Sequence, residues 1–467
     1  MVNARAYLPR AASVLPLWAA IVIIAAPASA APQQATTDTR FSTTTLFQGE
    51  IFPGGNQLNN RINLFQHLHL HTRDTGIAGL SIQASLWGEV ELADTFPNTD
   101  RASGDVDLLF LRYKGVAKSA TENLEIRLGR QLITSSPSTV EHVDGLYLAY
   151  NLPFGFEFRA YGALVVPRRF RLEATAFPPD TASYGGDWLV GGRLGYHFHD
   201  HIALGISYRH KRYHQRIAFD ELGWDLSARL PRSVTLLSKG SVDLMGLQLK
   251  DAQGGFLWAL SGGLLIAANY RFTRPDAFLP RTSIFAIFSS ESQHQASLEA
   301  SYGFLRRFRV GAVLAGSAFD KSCSYGPIDG ARCRTSEFAP EGALSFQVRL
   351  GEALQHQLLA KGERISAAEI GLWRVRIAGR FMLRDRLTLT ADLEAAFLDE
   401  DGAPTVVHEA NRQSWSVSGG TALSYGLGYG LELLGSGRLY HTPLAPGAGS
   451  FLLRLIWRLD RPGKRWL

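Results

Sequence analysis

Along most of the chain, apolar and polar residues alternate with period two in units that end at turn-forming residues, the pattern of half-buried β-strands. Over 369–382, Trp373, Val375, Ile377 and Phe381 share one parity, while Arg374, Arg376 and Arg380 share the other. After "LRDR", Leu387, Leu389, Ala391, Leu393 and Phe397 alternate with Thr388, Thr390, Asp392 and Glu394. A two-residue turn near Arg384 and Asp385 would set Arg374 and Arg376 opposite Asp392 and Glu394. Opposite charges across a ladder contribute from a few tenths to about 1 kcal/mol. A second hairpin is predicted over 414–440, turning through "GLGYG". Similar alternation runs through 77–92, 104–134, 143–164, 187–209, 222–249, 293–319, 341–361 and 448–460.

A sandwich and a barrel both alternate, so the connections decide. Short turns at 117–121, 151–154, 199–201, 230–233, 305–307, 350–353, 383–386 and 425–428 interleave with longer polar segments at 93–104, 168–186, 319–340 and 398–412. Short turns at one end and long loops at the other are expected of a transmembrane barrel. Trp188, Trp258, Trp373 and Trp415 all fall on apolar parities and each is read as starting a descending strand, which predicts one ring at the outer lipid–water interface. The fold class is therefore all-β: a single antiparallel transmembrane β-barrel with an even number of strands, about 18–22, short periplasmic turns and long extracellular loops. Such a barrel is too wide for side chains to fill, so water or inward-folded chain occupies its lumen.

The N-terminus supports export. Arg5 and Arg10 precede the apolar run 14–26 and the small residues of "APASA", as in a signal peptide cleaved near Ala30. The expected organisation is a signal peptide at 1–30, a short periplasmic lead-in at 31–40 and an outer-membrane barrel at 41–467. No later run of apolar residues is long enough for a membrane helix. A formal net charge of +6 is too mild to suggest nucleic acid.

On the inward parities, Glu125, Arg127, Arg130, Glu157, Arg159, Arg349, Arg374, Arg376, Arg380, Asp392, Glu394, Arg454 and Arg458 are candidate pore-lining residues. Mixed charge around a wet lumen sets the selectivity for polar solutes, although the same residues could simply brace one another. For Arg130 the reading is specific: Gly129 hosts a bulge that turns Arg130 from the parity of Leu124, Ile126 and Leu128 into the lumen. His67, His69 and His71 share a face, but no carboxylate or Cys accompanies them, so no metal site is assigned. Cys323 and Cys333, the only cysteines, fall in one long loop and are expected to form a disulfide in an exported chain. No nucleophile elbow stands out, His199, His201, His210 and His214 fall at strand ends, and no cofactor is implied.

The stretch "RLGRQ" at 127–131, followed by "VDGLYLAY" at 143–150 and "FGFEFRAYG" at 154–162, resembles a segment of alginate-export-type outer-membrane barrels and related porins. The matching positions are Leu128, Gly129, Arg130 and Gln131, then Asp144, Gly145 and Tyr150. The resemblance implies a monomeric barrel with an arginine-lined lumen that passes anionic polysaccharide or small polar solutes. The C-terminal "RPGKRWL" departs from a common barrel ending, closing on Trp466 and Leu467 and not on Phe. The expected function is a porin-like channel in the outer membrane of a Gram-negative bacterium. Its expected partners are outer-membrane lipid, the barrel-assembly machinery and, with an export role, polysaccharide-export components. A non-conducting surface or assembly barrel and a barrel enzyme acting on lipid or surface polymer are the alternatives.

Overall fold

The computed structural model describes residues 38–51, 61–73, 75, 77–92, 102–115, 123–137, 139–166, 187–199, 201–213, 216–274, 292–319, 323–326, 330–333, 337–351, 353–366, 370–400, 415–441 and 447–461. The expected signal peptide, 1–30, lies outside them, as do residues 31–37 of the lead-in.

The strands are β1 (Asp38–Ile51), β2 (Arg61–Arg73), β3 (Leu80–Glu91), β4 (Ala102–Lys114), β5 (Leu124–Ser136), β6 (Thr139–Asn151), β7 (Phe156–Val165), β8 (Trp188–Phe198), β9 (Ile202–Tyr213), β10 (Arg216–Leu230), β11 (Val234–Asp243) and β12 (Gln248–Ala259). They continue as β13 (Leu264–Thr273), β14 (Gln293–Phe304), β15 (Phe308–Phe319), the short β16 (Cys323–Gly326) and β17 (Gly330–Cys333), β18 (Glu337–Leu350), β19 (His356–Ser366), β20 (Ile370–Arg384), β21 (Leu387–Glu400), β22 (Trp415–Gly428), β23 (Leu431–His441) and β24 (Ala448–Arg461). All but β16 and β17 form one 22-stranded antiparallel sheet, and β1 pairs with both β2 and β24, closing it into a barrel. Closure leaves no strand edge exposed.

Each strand holds the parity its sequence dictates. Leu128, Leu146, Leu194, Ile206, Leu314, Leu344, Val375, Leu393 and Leu439 lie on the outward face, each at least 47 % exposed. Most of the ion pairs lie on the other face; Arg130–Asp144 and His210–Asp220, near the long-loop end of their strands, keep the outward parity. Both chain ends of the barrel lie at the rim of the short turns, and the strand ends at Val165, Trp188, Thr273, Gln293, Phe319, Glu337, Glu400 and Trp415 lie at the opposite rim. At the short-turn rim, Tyr429 and Gly430 both have positive φ (51° and 76°), as a two-residue hairpin turn requires. A Cβ at Gly430 would meet the Arg458 carbonyl oxygen at 1.9 Å.

Two expectations need correction. The turn between β20 and β21 is Asp385–Arg386, and a bulge at Leu383 offsets the ladder, so Arg376 faces Glu394 but Arg374 faces Ala396 and Ala378 faces Asp392. Trp258 is the penultimate residue of β12, at the short-turn rim, whereas Trp188 and Trp415 begin β8 and β22 and Trp373 lies near the start of β20, at the long-loop rim. The cause is a bulge at Lys250, which breaks the alternation and conceals the start of β12. Trp258 therefore joins the second aromatic belt, where Phe41 meets Trp457 (6.4 Å) and Tyr302, Phe304, Phe308 and Phe346 stack in series at 5.3–6.0 Å.

Candidate functional site

The lumen has two unlike halves. In the first, the wall folds in on itself. The β4–β5 ladder stops at Leu109↔Arg130 and the β6–β7 ladder starts at Val143, yet β5 and β6 remain paired up to Ser136↔Thr139. The tip of this hairpin thus leaves the wall and lies inside the barrel against β9 and β10. Pro137 packs on Gly223, the Tyr161 hydroxyl donates to the Ser135 carbonyl (2.8 Å), and Glu141 receives Arg209 (2.8 Å) and Lys211 (3.0 Å). Beneath the hairpin, Ile133, Val143, Tyr147, Tyr161 and Leu189 form an apolar cluster on the inward parity.

Gly129 and Arg130 mark the point of departure. Gly129 has φ 122°, and a Cβ there would meet the Leu109 carbonyl oxygen at 2.3 Å, so only glycine fits. The expected bulge is absent: Arg130 pairs with Asp144 in unbroken sequence with Leu128↔Leu146 and Leu132↔His142, so it keeps the parity of Leu128 and does not join Arg127 on the inward one. The Arg130 guanidinium makes a bidentate contact with Asp144 (2.9 Å twice) and also donates to Asp105 (3.1 Å) and to the Val106 carbonyl (3.0 Å). It ties β6 to β4 where the ladder between β4 and β5 ends.

Below and beside the hairpin, charges are gathered into shared networks. Arg112 grips Glu125 with two bonds (2.9 and 3.0 Å), and Arg127 donates to the same carboxylate (2.6 Å) while lying over the Tyr147 ring. Arg193 bridges Asp225 (2.7 Å) and Glu157 (2.9 Å), and Glu157 also holds Arg159 (2.6 Å). Deeper still, Arg209 and Glu221 (both 1 % exposed) and Lys250 (2 %) form a buried network, with Arg209 Nη2 2.7 Å from Glu221 and Lys250 bonded to the same carboxylate. The Phe219 ring lies within 4.8–5.7 Å of Arg209, Lys211 and Lys250. The bulge at Lys250 turns it inward beside Asp251, which bonds Ser241. Removing one member of such a set strands a buried charge, at about 3–5 kcal/mol.

The second half, β15 to β24, is cationic. Some of its charges are paired: Glu363 with Lys361 (2.8 Å) and Arg374 (3.9 Å), Arg374 with Glu394 (3.5 Å), Arg438 with Asp392 (3.3 Å), and Arg458 with Glu432 (3.7 Å). Among the described residues, Arg309, Arg349, Arg376, Arg380 and Arg454 face the same lumen and form no ion pair, Arg376 lying across the ladder from Glu394, which binds Arg374. Gln357 lies between Arg349 and Arg380 in one cross-strand row that continues to Thr390, and Arg309 faces Gln347 one strand away. This places guanidinium forks, amides and a hydroxyl on one wall nearer the short-turn rim, a donor set suited to carboxylate or phosphate oxygens.

His67, His69 and His71 share the inward parity, opposite Thr44, Ser42 and Arg40 on one side and Trp87, Ser85 and Gln83 on the other. Among the described residues, no group of three or more His, Cys, Asp or Glu is placed to hold a metal. Cys323 and Cys333 stand directly opposite each other in the β16–β17 ladder. Sequence reasoning missed Glu221 and Lys250 because bulges at Ala218 and Lys250 shift the parity on which such residues are counted, and it passed over Arg209 and Lys211 although they keep the regular inward parity of β9.

Comparison with known proteins supports the architecture. No family model matches the chain, and no curated protein matches it in sequence. Among solved structures, the siderophore receptor PirA from Pseudomonas aeruginosa matches with a TM-score of 0.57 at 10% identity, over 92% of this chain and 81% of that one. OccK2 (OpdF) from Pseudomonas aeruginosa, in complex with glucuronate, matches at 0.42 and 11% identity over 91% and 98% of the two chains. A BenF-like porin from Pseudomonas fluorescens Pf-5 matches at 0.42 and 10% identity over 91% and 99% of the two chains. At 10% identity the likeness to the receptor is one of fold alone, a closed antiparallel β-barrel.

Proposed function

We propose that the protein is a channel of the bacterial outer membrane that passes small polar solutes and favours anions. The apolar exterior supports a membrane setting, since a soluble protein does not expose apolar area on this scale. The closed ladder satisfies the backbone within hydrocarbon. The observation that carries the anion preference is the set of guanidiniums that form no ion pair, Arg349 and Arg380 flanking Gln357, with Arg376 on the same strand as Arg380 and Arg454 further round the wall on β24. The resemblance to alginate-export barrels rests on one local hairpin whose Arg130–Asp144 pair explains the motif. An anionic polysaccharide therefore enters this reading only as the largest solute of the class, and export components only as partners of that case. Outer-membrane lipid and the barrel-assembly machinery belong to the reading as partners, and a monomer is its simplest form.

The test is the reversal potential in planar bilayers under a salt gradient. The native channel should select anions, and Arg349→Glu with Arg380→Glu should move the reversal potential toward cation selectivity. A folded protein that never conducts would overturn the channel. A second reading, a surface barrel that meets partners through its loops, is favoured by the β16–β17 hairpin, where the in-register Cys323 and Cys333 suit a disulfide.

A further inference from the structure

We infer that the long-loop rim carries two outward-facing sites for lipid phosphate, one at Trp188–Arg212 and one at Trp373–Arg364. This rests on the reading that the exterior faces lipid. Arg212 lies directly across the ladder from Trp188, since Leu189 pairs with Lys211, and Arg364 lies directly across from Trp373. The guanidinium carbons stand 5.8 and 4.6 Å from the two indole centroids. Both arginines are on the outward parity, close to the ends of strands that climb to the long-loop rim. Neither has an acidic partner among the described residues.

An arginine facing hydrocarbon is costly, but near an interface the cost falls to about 0–1 kcal/mol. Stacking on an indole uses the face of the guanidinium and leaves its N–H edge free for a bidentate acceptor. Tryptophan is favoured at headgroup depth, so each platform holds that edge at the level of lipid phosphates. The short-turn rim differs in kind: its contacts are mostly aromatic on aromatic, as in Phe156–Tyr196 (4.8 Å) and the Tyr302–Phe346 series. The asymmetry points to an anionic, phosphate-bearing leaflet on the long-loop side.

The test measures phosphatidic acid, phosphatidylcholine and inorganic phosphate on the full-length protein in a neutral detergent, with bound lipid read by native mass spectrometry. The native protein should retain phosphatidic acid over phosphatidylcholine, with inorganic phosphate competing poorly. Arg212→Gln and Arg364→Gln should each weaken retention about fivefold, and Arg212→Lys should keep part of it. Conductance should be unchanged, because neither side chain faces the lumen. Equal retention by the native and doubly substituted proteins would overturn the proposal, as would full displacement by inorganic phosphate. Retention of neither lipid would instead overturn the membrane reading on which it stands.

Discussion

Glu141 is the point at which the inward hairpin can be released. Glu141→Gln keeps the volume of the side chain but removes the charge that Arg209 and Lys211 hold at 2.8 and 3.0 Å. Breaking a buried pair by neutralising one partner costs about 3–5 kcal/mol. Arg209 retains Glu221 at 2.7 Å, and Glu141 and Lys211 are not fully buried, so the low end of that range, about 3 kcal/mol, applies. At 1.4 kcal/mol per tenfold, the undocked hairpin should become more populated by on the order of a hundredfold. Tyr161→Phe removes one neutral hydrogen bond to the Ser135 carbonyl, worth about 1 kcal/mol, and should act about fivefold. Single-channel recording reads this directly. Conductance steps should become far more frequent in Glu141→Gln and more frequent again in the double variant, while heat-modifiable mobility on gels confirms a folded barrel. Step frequencies equal to those of the native protein would refute the assignment of the hairpin as the movable element of the lumen.

Three further outcomes follow from the same geometry. Gly129→Ala should destabilise the barrel by about 1–3 kcal/mol, because φ 122° and the nearby Leu109 carbonyl leave no room for a Cβ; an unchanged thermal midpoint would contradict this. Arg376→Glu should shift the reversal potential more than Arg374→Glu, because Arg374 already has Glu363 and Glu394 while Arg376 has no ion-pair partner. Equal shifts would place neither at the selective wall. Replacing Cys323 and Cys333 by serine should expose the 320–336 loop to protease without altering conductance, and protection equal to that of the native protein would argue against a bridge there.

The alternation of Trp373, Val375 and Ile377 with Arg374 and Arg376 is enough to assign strands and faces, because side-chain direction in a strand depends only on parity. The alternation of short and long connections likewise specifies a barrel with two unlike rims, and the strand total of 22 lies within the range predicted. What the chain alone could not show begins where parity fails. The bulges at Ala218, Lys250 and Leu383 shift the count by one, which hid Glu221 and Lys250 as partners of Arg209 and misplaced Trp258. Gly129 was identified as special, but only the ladder shows that it lets a hairpin leave the wall, with Arg130 bracing the gap. Which arginines are paired and which stand free was equally hidden, because partners such as Glu141 and Arg209 lie 68 residues apart. Local sequence determines the face a side chain takes, since that is a property of one strand. Its partner depends on the closure and infolding of the whole sheet, and only the tertiary structure decides that.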